Sequence, residues 1–552
     1  MRVNKRALLA VLIALGCASE LRAQEAHQHQ HQHGAEELGR VNFPISCTAE
    51  AQKQFSHATA WLHSFGYAEA QKAFEAVTVT DPKCGMAWWG VAMSQYHPVW
   101  VPPTQAELAK GWSAVEKART LSAKTEREKS YIAAIEVFFK DADKLDHRTR
   151  ALGYQQAMEQ IYRRYPEDRE AAIFYALSLL EATTLPPGKD YSKQKKAADI
   201  LNRVLPQEPN HPGVAHYVIH SFDYPQLAEI ALPAARSYAK IAPSSPHALH
   251  MPSHIFTRLG LWQESIQSNL ASAASAKALV ARTHPGAGSF DQLHAIDYLA
   301  YAYLQGAQDQ KAKGVLQELR TITRLDVEQF AAAYAFAAVP ARYALERRKW
   351  AEASAITIHP TTFPWDRFPY AEAITHFARA LGAARSGDPA AARLSVEKLA
   401  SIQQSLAAAK ENPVYQYWAK QVEIQRQATA AWTARAETRN EEALRLMRAA
   451  ADLEASTDKH PVTPGAVLPA RELLGDLLLE LNQPAEALKE YEASLRDAPN
   501  RFNTLYGAAR AAELAGDRVN AGRYYQKLIS LCPNAEVERP ELKRAKEFVG
   551  KK

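Results

Sequence analysis

Apolar residues recur along most of the chain at spacings of three and four, the period of a helix that buries one face. Residues 49–82 give a clear example, with Ala58 on the first apolar stripe and Phe74 on the second. Gly66 lies between the two stripes and Pro82 follows the second, and both residue types favour turns. The segment therefore predicts two antiparallel helices joined by a tight turn.

This helical hairpin recurs with a period of 34 residues, most clearly near the C-terminus. Pairs of matching residues stand 34 positions apart there: Ala487 and Ala521, Tyr491 and Tyr525, Asn482 and Gly516, Pro499 and Pro533. Alanine-rich helix formers dominate and runs of β-branched residues are few. We therefore predict an all-α protein, an α-solenoid of stacked helical hairpins.

Histidines follow the same register in the middle of the chain. His216 and His220 are four apart, as are His250 and His254, and the second pair lies 34 positions after the first. A third copy is displaced by a further 47 positions, which aligns Asp297 with His250 and His294 with His247. Histidine therefore recurs at one structural position of successive hairpins.

The apolar slots of these three hairpins place the histidines outside the packed stripe, on the face that would line an inner groove. Residues four apart on a helix are neighbours, and imidazoles from two adjacent helices can reach one ion. Neutral imidazole suits Zn, Cu, Ni or Fe, and a carboxylate can complete the set. The pattern predicts a divalent transition-metal site, Zn or Cu above all, with the ligands His216, His220, His247, His250, His254, His294 and Asp297.

Several residues of this stretch allow a second interpretation. His247 and His294 fall near helix starts, where they could be caps or outer ligands, and Asp223 or Asp297 could orient a ligand instead of binding metal. Pro252 lies inside the second histidine segment. Either a helix starts there and His250 falls in the preceding turn, or a kink redirects the side chains.

The first residues resemble a secretory signal peptide, with a basic start, an apolar run of about 12 residues and a small residue at Ala23. We place cleavage after Ala23 and rank a lipoprotein anchor at Cys17 lower. The chain would then be periplasmic or secreted. We find no other segment that would cross a membrane.

The formal net charge of the whole chain is +6, and removing the first 23 residues leaves about +3. That is too mild, and too evenly spread, for nucleic-acid binding. Export permits disulfide bonds, and Cys47 and Cys84 precede the first helices of neighbouring hairpins. We therefore predict a Cys47–Cys84 bond, with two unpaired thiols as the alternative, and a free, partly buried thiol at Cys532.

Five regions follow from these patterns. Residues 24–40 contain His27, His29, His31 and His33 alternating with Gln and are expected to be disordered, with imidazoles able to collect metal weakly. The boundaries that we predict are 1–23 for the signal peptide, 24–40 for the histidine-rich segment, 41–323 for repeats with the histidine cluster, 324–457 for degenerate helical repeats and 458–552 for the last repeats.

The chain resembles the bacterial exported tetratricopeptide-repeat (TPR) proteins. The stretches that carry the resemblance are VNFPISC, HALHMPSHIFTRLG, TPGAVLPARELLGDLLLEL and RFNTLYGAARAAELAGD. It covers most of the chain after the signal peptide and implies a right-handed superhelix with a concave groove. Such proteins mostly bind partners, so the resemblance implies a protein or peptide partner and assigns no catalytic residue.

Three functions stay open on this basis. The first is a metal-binding repeat scaffold for metal handling or partner binding. The second is a metal-dependent enzyme that uses the same histidines, with Tyr217, Tyr298, Tyr301 or Asp223 as acid–base groups. The third is a metal-free adaptor that docks partners at its last hairpins, since repeat grooves commonly hold peptides.

Overall fold

A computed structural model describes residues 36–99, 102–121, 123–181, 191–536 and 539–550. The signal peptide and the histidine-rich segment predicted for residues 1–40 lie almost wholly outside these ranges. Within them the protein is all-α, as predicted, and β-structure is limited to an isolated bridge between Gly288 and Leu325. Leu38–Lys552 form one compact unit, which is described below.

The first hairpin has the predicted turn and packing. Helix α1 (Ala49–His63) begins at Thr48, whose hydroxyl accepts a hydrogen bond from the backbone of Ala51. Helix α2 (Tyr67–Thr80) follows after a turn in which Phe65 has φ 55°. Phe74 of α2 is fully buried, and a Cβ on Gly90 of the next hairpin would lie 2.2 Å from its ring. A residue without a side chain at Gly90 therefore lets the two helices approach.

Six helices continue the N-terminal stack. Two of them begin with capping boxes, in which Thr104 pairs with Glu107 and Thr125 with Glu128. Their bounds are α3 (Gly85–Met93), α4 (Gln105–Thr120), α5 (Glu126–Phe139), α6 (His147–Arg164), α7 (Arg169–Glu181) and α8 (Ser192–Val204).

The middle of the chain contains the histidine-bearing helices. Pro252 divides the second histidine segment into two short helices. A helix starts at this proline, as the first alternative has it, but His250 ends the preceding short helix and does not lie in a turn. The elements are α9 (Pro212–Phe222), a short 3-10 helix (Ala228–Ala231), α10 (Leu232–Ile241), α11 (Pro246–His250), α12 (Pro252–Leu259), α13 (Trp262–Thr283), α14 (Phe290–Gln305) and α15 (Asp309–Thr321).

The region with a weak repeat pattern is also regular helix. It consists of α16 (Phe330–Leu345), α17 (Trp350–Ser354), a 3-10 helix (Trp365–Arg367), α18 (Pro369–Arg385), α19 (Pro389–Ala408), α20 (Pro413–Ala436) and α21 (Asn440–Ala455). Residues 456–469, here named the closing segment, are not helical and lead into the last hairpins.

The last hairpins are α22 (Ala470–Glu480), α23 (Pro484–Asp497), α24 (Phe502–Leu514), α25 (Arg518–Leu531) and α26 (Pro540–Val549). The residues that match at 34 positions have matching roles, because Tyr491 and Tyr525 are both fully buried. The position of Gly507 requires a residue without a side chain, because a Cβ there would lie 2.3 Å from the Tyr491 ring.

Buried apolar side chains form two cores that follow each other along the chain. One core ends at Phe256 on α12, and the other begins at Trp262 on α13. The predicted histidine ligands lie on α9, α11, α12 and α14, on both sides of this division. The domain boundaries that we placed at 323 and 457 stay predictions.

Cys47 and Cys84 are joined by a disulfide bond, with their Cα atoms 5.4 Å apart. Cys47 lies two positions before the first residue of α1, and Cys84 directly precedes α3, so the bond ties the starts of these two helices together. Cys532, after α25, is a free and buried thiol, and burial raises its pKa to about 12. At this pKa the thiol stays protonated and is a poor nucleophile.

Candidate metal centre

Short helices and prolines position the histidines. Pro212 occupies the first turn of α9, where its missing N–H costs nothing, and His216 and His220 then lie one turn apart on the same face. Pro246 and Pro252 begin α11 and α12 in the same way. The helix break at Pro252 does not separate the second pair, because the Nε2 atoms of His250 and His254 are 3.0 Å apart.

Six histidines form two sets of three. Set A contains His216 and His220 from α9 and His247 from α11. The Nε2 atom of His216 lies 3.0 Å from that of His220 and 3.1 Å from that of His247. Phe65, in the turn after α1, packs against all three rings, with centroid distances of 4.4–5.6 Å.

Set B contains His250 from α11, His254 from α12 and His294 from α14. Their candidate ligand nitrogens lie within 4.8 Å of one another, and the ring centroids of His250 and His294 are 4.1 Å apart. The hydroxyl of Tyr298, one turn after His294, lies 3.3 and 3.5 Å from the two ring nitrogens of His254.

Five of these side chains are buried and His247 is half-buried, whereas we expected all six on a groove face outside the core. The exposed fraction is 0% for His216, 1% for His254 and 8% for His294. The helical phase set the histidines apart from the apolar stripe, but it could not reveal that neighbouring helices and the closing segment pack against them. The six rings therefore form a mostly buried cluster, here named the chamber.

Hydrogen bonds fix the tautomers of three of the histidines. Nδ1 of His216 lies 2.7 Å from the carbonyl oxygen of His63, which can only accept. Nδ1 of His250 lies 2.6 Å from Oδ1 of Asn269, whose amide nitrogen donates to the carbonyl of Ser265. In each case Nδ1 must carry the proton, so Nε2 presents its lone pair to the set.

His254 follows the same rule through a carboxylate. Its Nδ1 lies 3.0 Å from Oδ2 of Asp223. Asp223 also accepts from Nε of Arg258 at 2.8 Å and from Nζ of Lys459 at 3.2 Å. Asp223 is therefore the carboxylate that orients a ligand, one of the two roles that the sequence left open for it.

The imidazoles are neutral at ordinary pH. Burial, and then the neighbouring imidazoles, lower the pKa of His216, His220, His247 and His294 well below the usual value. The same causes lower the pKa of His250, and burial outweighs Asp223 in lowering that of His254. Six neutral imidazoles therefore line the chamber.

Asp297, the predicted carboxylate ligand, lies elsewhere. Its Oδ1 accepts from Nε of Arg342 at 3.2 Å, and Arg342 is fully buried. Burial raises the pKa of Asp297 to about 6 in spite of Arg342. The alignment placed it opposite His250 by sequence position, but the lengthened third repeat directs it to α16. The groups of candidate ligand atoms in the described chain do not include it.

A third group joins His63, Glu170 and His211. The Nε2 atoms of both histidines lie 2.9 Å from Glu170, one at each carboxylate oxygen. Nδ1 of His63 lies 2.9 Å from the hydroxyl of Tyr217. Both carboxylate oxygens are thus occupied, and this network supports His63, whose carbonyl orients His216. His97, which shares the repeat position of His63, pairs with Glu107 at 3.5 Å instead.

The closing segment lies against the chamber and α16. The hydroxyl of Tyr298 donates to the carbonyl of Val462 at 3.3 Å. Arg342 donates to the carbonyls of Gly465 at 2.8 Å and Ala466 at 2.9 Å. The segment that separated two repeat regions in the sequence is therefore a structural part of the site.

Several of these partners were beyond sequence reasoning. Asn269 is one of many polar residues of α13, and nothing in the sequence distinguishes it from its polar neighbours. Lys459 lies 236 positions from Asp223. The sequence gives only a weak indication that Phe65 contributes to the site, namely its position next to a predicted turn. Each contact depends on how distant hairpins pack, which no local pattern encodes.

Comparisons with known proteins identify the repeats. A family model described as tetratricopeptide repeat matches residues 472–536, which span most of α22 to α25. No curated protein matches the chain. No helix among the described residues is long and apolar enough to cross a membrane.

Solved structures give distant likenesses. A human IFIT1 dimer with PPP-AAAA has 12% identity and a TM-score of 0.36, covering 88% of this chain and 91% of that one. The APC/C hetero-tetramer Cut9-Hcn1 has 11% identity and a TM-score of 0.28, covering 91% and 96%. The TPR domain of P58(IPK) has 10% identity and a TM-score of 0.21, covering 91% and 99%.

The assignment therefore rests on the matched residues and on the helical hairpins that contain them. The protein is all-α, an α-solenoid of stacked hairpins, and its residues 472–536 match the tetratricopeptide repeat.

Proposed function

We propose that this protein binds transition-metal ions through the two buried histidine sets. Neutral imidazole is a ligand for Zn and Cu, and three histidines per ion is a common ligand set for both. Two nitrogens bound at ~2.05 Å to one tetrahedral ion lie about 3.3 Å apart. The spacings of 3.0–3.1 Å between Nε2 atoms are close to this value.

One observation carries the proposal. The Nδ1 protons of His250 and His254 are directed to Asn269 and Asp223. Neither Nε2 atom therefore has a proton to offer the other, and two lone pairs face each other at 3.0 Å. In a buried site this contact is unfavourable, since acceptors without a donor cost free energy, and the nearby hydroxyl of Tyr298 donates to the carbonyl of Val462. A cation bound by both atoms turns the repulsion into two bonds.

The expected setting is outside the cytoplasm. If the first 23 residues direct export, the histidine arm at residues 27–33 would collect ions weakly and the chamber would hold them. The protein would then serve in metal handling. Export and the arm are predictions from the sequence.

The experiment is a metal analysis of untagged protein. His27, His29, His31 and His33 are replaced by Gln in every sample, so that the arm holds no ion. After incubation with Zn²⁺ and desalting, we expect zinc to stay with this protein and with a His284→Ala control, which changes an exposed histidine. A His220→Ala/His254→Ala variant should lose it. Equal zinc content in this variant and the control would refute the proposal.

A metal-dependent enzyme is the second candidate, favoured by one observation. A tris-histidine ion keeps an open coordination position, as catalytic zinc sites do. The hydroxyl of Tyr298 lies within 3.5 Å of His254 and could donate to a ligand in that position. Detection of an exchangeable water on a Co²⁺-substituted site would support this candidate, and a saturated site would argue against it.

A protein-binding scaffold is compatible with metal binding and is supported by the repeat match. The inner face near Tyr334 and Arg342 already contacts the closing segment of the same chain. A partner would therefore use the last hairpins, α22 to α25, as the sequence suggested. A pull-down in which α24 surface substitutions abolish capture, with metal content unchanged, would test this role.

A further inference from the structure

The two histidine sets are neighbours in one chamber. Ring centroids within each set lie 4.1–4.9 Å apart for the directly paired rings. Across the sets, the rings of His220 and His254 are 6.5 Å apart, as are those of His247 and His250. Helix α11 contributes one residue to each set, His247 to set A and His250 to set B, and so joins the two sets.

Neither set includes a carboxylate. Two divalent ions would thus bring four positive charges to six neutral imidazoles. The nearby acid, Asp223, already faces the cations Arg258 and Lys459. Burying uncompensated charge is costly, and protein side chains here do not compensate it. The ions need an anion from solution.

Each three-coordinate ion also has a vacant position that such an anion can fill. Metal pairs a few ångströms apart commonly share an oxygen ligand. We propose that sets A and B form one dinuclear centre whose two ions are bridged by a small anion of the hydroxide class. This inference rests on the proposed metal binding. It adds that two ions bind, that they are bridged, and that the chamber also binds a small anion.

The test uses the full chain with the four arm histidines replaced by Gln, loaded with Cu²⁺. Copper binds nitrogen ligands tightly, and two Cu²⁺ ions that share a hydroxide bridge pair their electron spins. We expect two copper ions per chain with most of the electron paramagnetic resonance signal absent. Azide, an anion that replaces hydroxide, should add a charge-transfer absorption band.

Two variants isolate the coupling. His294→Ala removes one ligand of set B and should leave one copper ion with its full resonance signal. His220→Ala weakens set A and should give the same result, which guards against a variant that fails to fold. His284→Ala, at an exposed histidine, should behave as the parent.

The outcomes separate this inference from the proposed function. Two copper ions with the full signal of two independent spins would overturn the bridge while leaving metal binding intact. Saturation at one ion per chain would overturn the dinuclear centre and also leave metal binding intact. A chain that retains no copper would overturn both.

Discussion

At the scale of single residues, the partners of the Nδ1 atoms decide what the histidines can do. An imidazole that donates through Nδ1 to a fixed acceptor has one orientation and one free lone pair. His216 obtains this acceptor from a backbone carbonyl, whereas His250 obtains it from Asn269. A substitution cannot remove the backbone carbonyl that binds His216, but it can remove the Asn269 side chain that binds His250.

We predict that Asn269→Ala weakens metal binding at set B. Without Oδ1, the His250 ring loses the group that holds its Nδ1–H and its Nε2 lone pair loses its direction. Outer partners of this kind typically change metal affinity by about 10–100-fold. The measurement is a competition titration of Zn²⁺ against a chromophoric chelator.

Asn269 is fully buried, so the titration needs matched controls. Asn269→Asp keeps an acceptor for His250 and should retain tight binding. Asn440→Ala, at an exposed position, should have no effect. If Asn269→Ala bound zinc as tightly as Asn269→Asp, the orienting role of this side chain would be wrong.

A second residue-scale prediction concerns pH and stability. Glu181 at the end of α7 is 8% exposed, and neither carboxyl oxygen has a hydrogen-bond partner within the described part of the chain. Burial raises its pKa well above the usual value. Folding therefore takes up a proton at pH values between the unfolded-state pKa of ~4.3 and the raised folded-state pKa, and the stability falls as pH rises through this window.

Glu181→Gln removes this proton uptake at nearly constant shape. We expect the variant to be more stable than the parent at pH 8, with a difference that shrinks toward pH 4.5 by up to about 1.4 kcal/mol per pH unit. Thermal midpoints at the two pH values give the comparison. Glu50→Gln, at an exposed position on α1, is the control. A difference that is the same at both pH values would contradict the assignment.

At the scale of helices and hairpins, the sequence predicted most of what is found. Periodicity gave the helix pairs, and the 34-residue offset placed His216 and His250 at equivalent positions. The sequence did not predict which histidines belong to each set. We expected the two pairs to meet at one site, and they lie in separate groups. Each pair instead recruits a third histidine from the helix beside it, His247 or His294.

The predictions that differ from the structure, for Asp297 and for the closing segment, have a common physical cause. Asp297 was aligned with His250 by counting residues, but the third repeat is longer and Arg342 lies nearer to it. The closing segment contains the boundary that we predicted between residues 457 and 458, and its prolines disfavour helix. Its carbonyls nevertheless satisfy Arg342, Tyr298 and Tyr334. Contacts between distant segments follow from packing, and local patterns do not contain them.

The Cys47–Cys84 bond gives a prediction for the first two hairpins. The bond closes a loop between residues 37 positions apart, and such cross-links typically add about 2–4 kcal/mol. We expect Cys47→Ala/Cys84→Ala to lower the thermal midpoint of the N-terminal helices, and a reductant to lower that of the parent equally.

The response to reductant distinguishes this bond from other effects. Cys532→Ala should keep the response, since that thiol is unpaired. The double variant should show none. A parent whose midpoint is insensitive to reductant, with the bond shown to be reduced, would contradict the predicted stabilisation.

At the scale of the whole described chain, the repeats do not contact only their neighbours in sequence. Trp262 donates to the carbonyl of Asn500 at 2.8 Å, and Gln305 accepts from the backbone of Phe502 at 2.8 Å. Arg539 donates to Asp309 at 3.1 Å. In an ordinary solenoid each repeat packs on the next, and stability is a sum of local terms. These long-range contacts couple α22–α26 to the histidine-bearing helices.

Arg501 is the centre of this coupling. It is fully buried and donates to Glu346 at 2.8 Å, to Glu472 at 3.1 Å and to the hydroxyl of Tyr301 at 2.7 Å. Tyr301 lies on α14, which also carries His294. One side chain thus joins four helices, among them one that supplies a ligand to set B.

We predict that Arg501→Met separates the unfolding of the last hairpins from that of the rest. The substitution leaves Glu346 and Glu472 buried without their cation, which typically costs about 3–5 kcal/mol. Calorimetry should show one main transition in the parent and an earlier additional one in the variant. Adding Glu472→Gln should recover part of the loss, and Arg448→Met, at a solvent-exposed ion pair, should change little. A single transition in Arg501→Met, at the temperature of the parent, would mean that the long-range contacts do not couple the repeats. The early transition should also speed the release of zinc from set B, because α14 loses its support from α24.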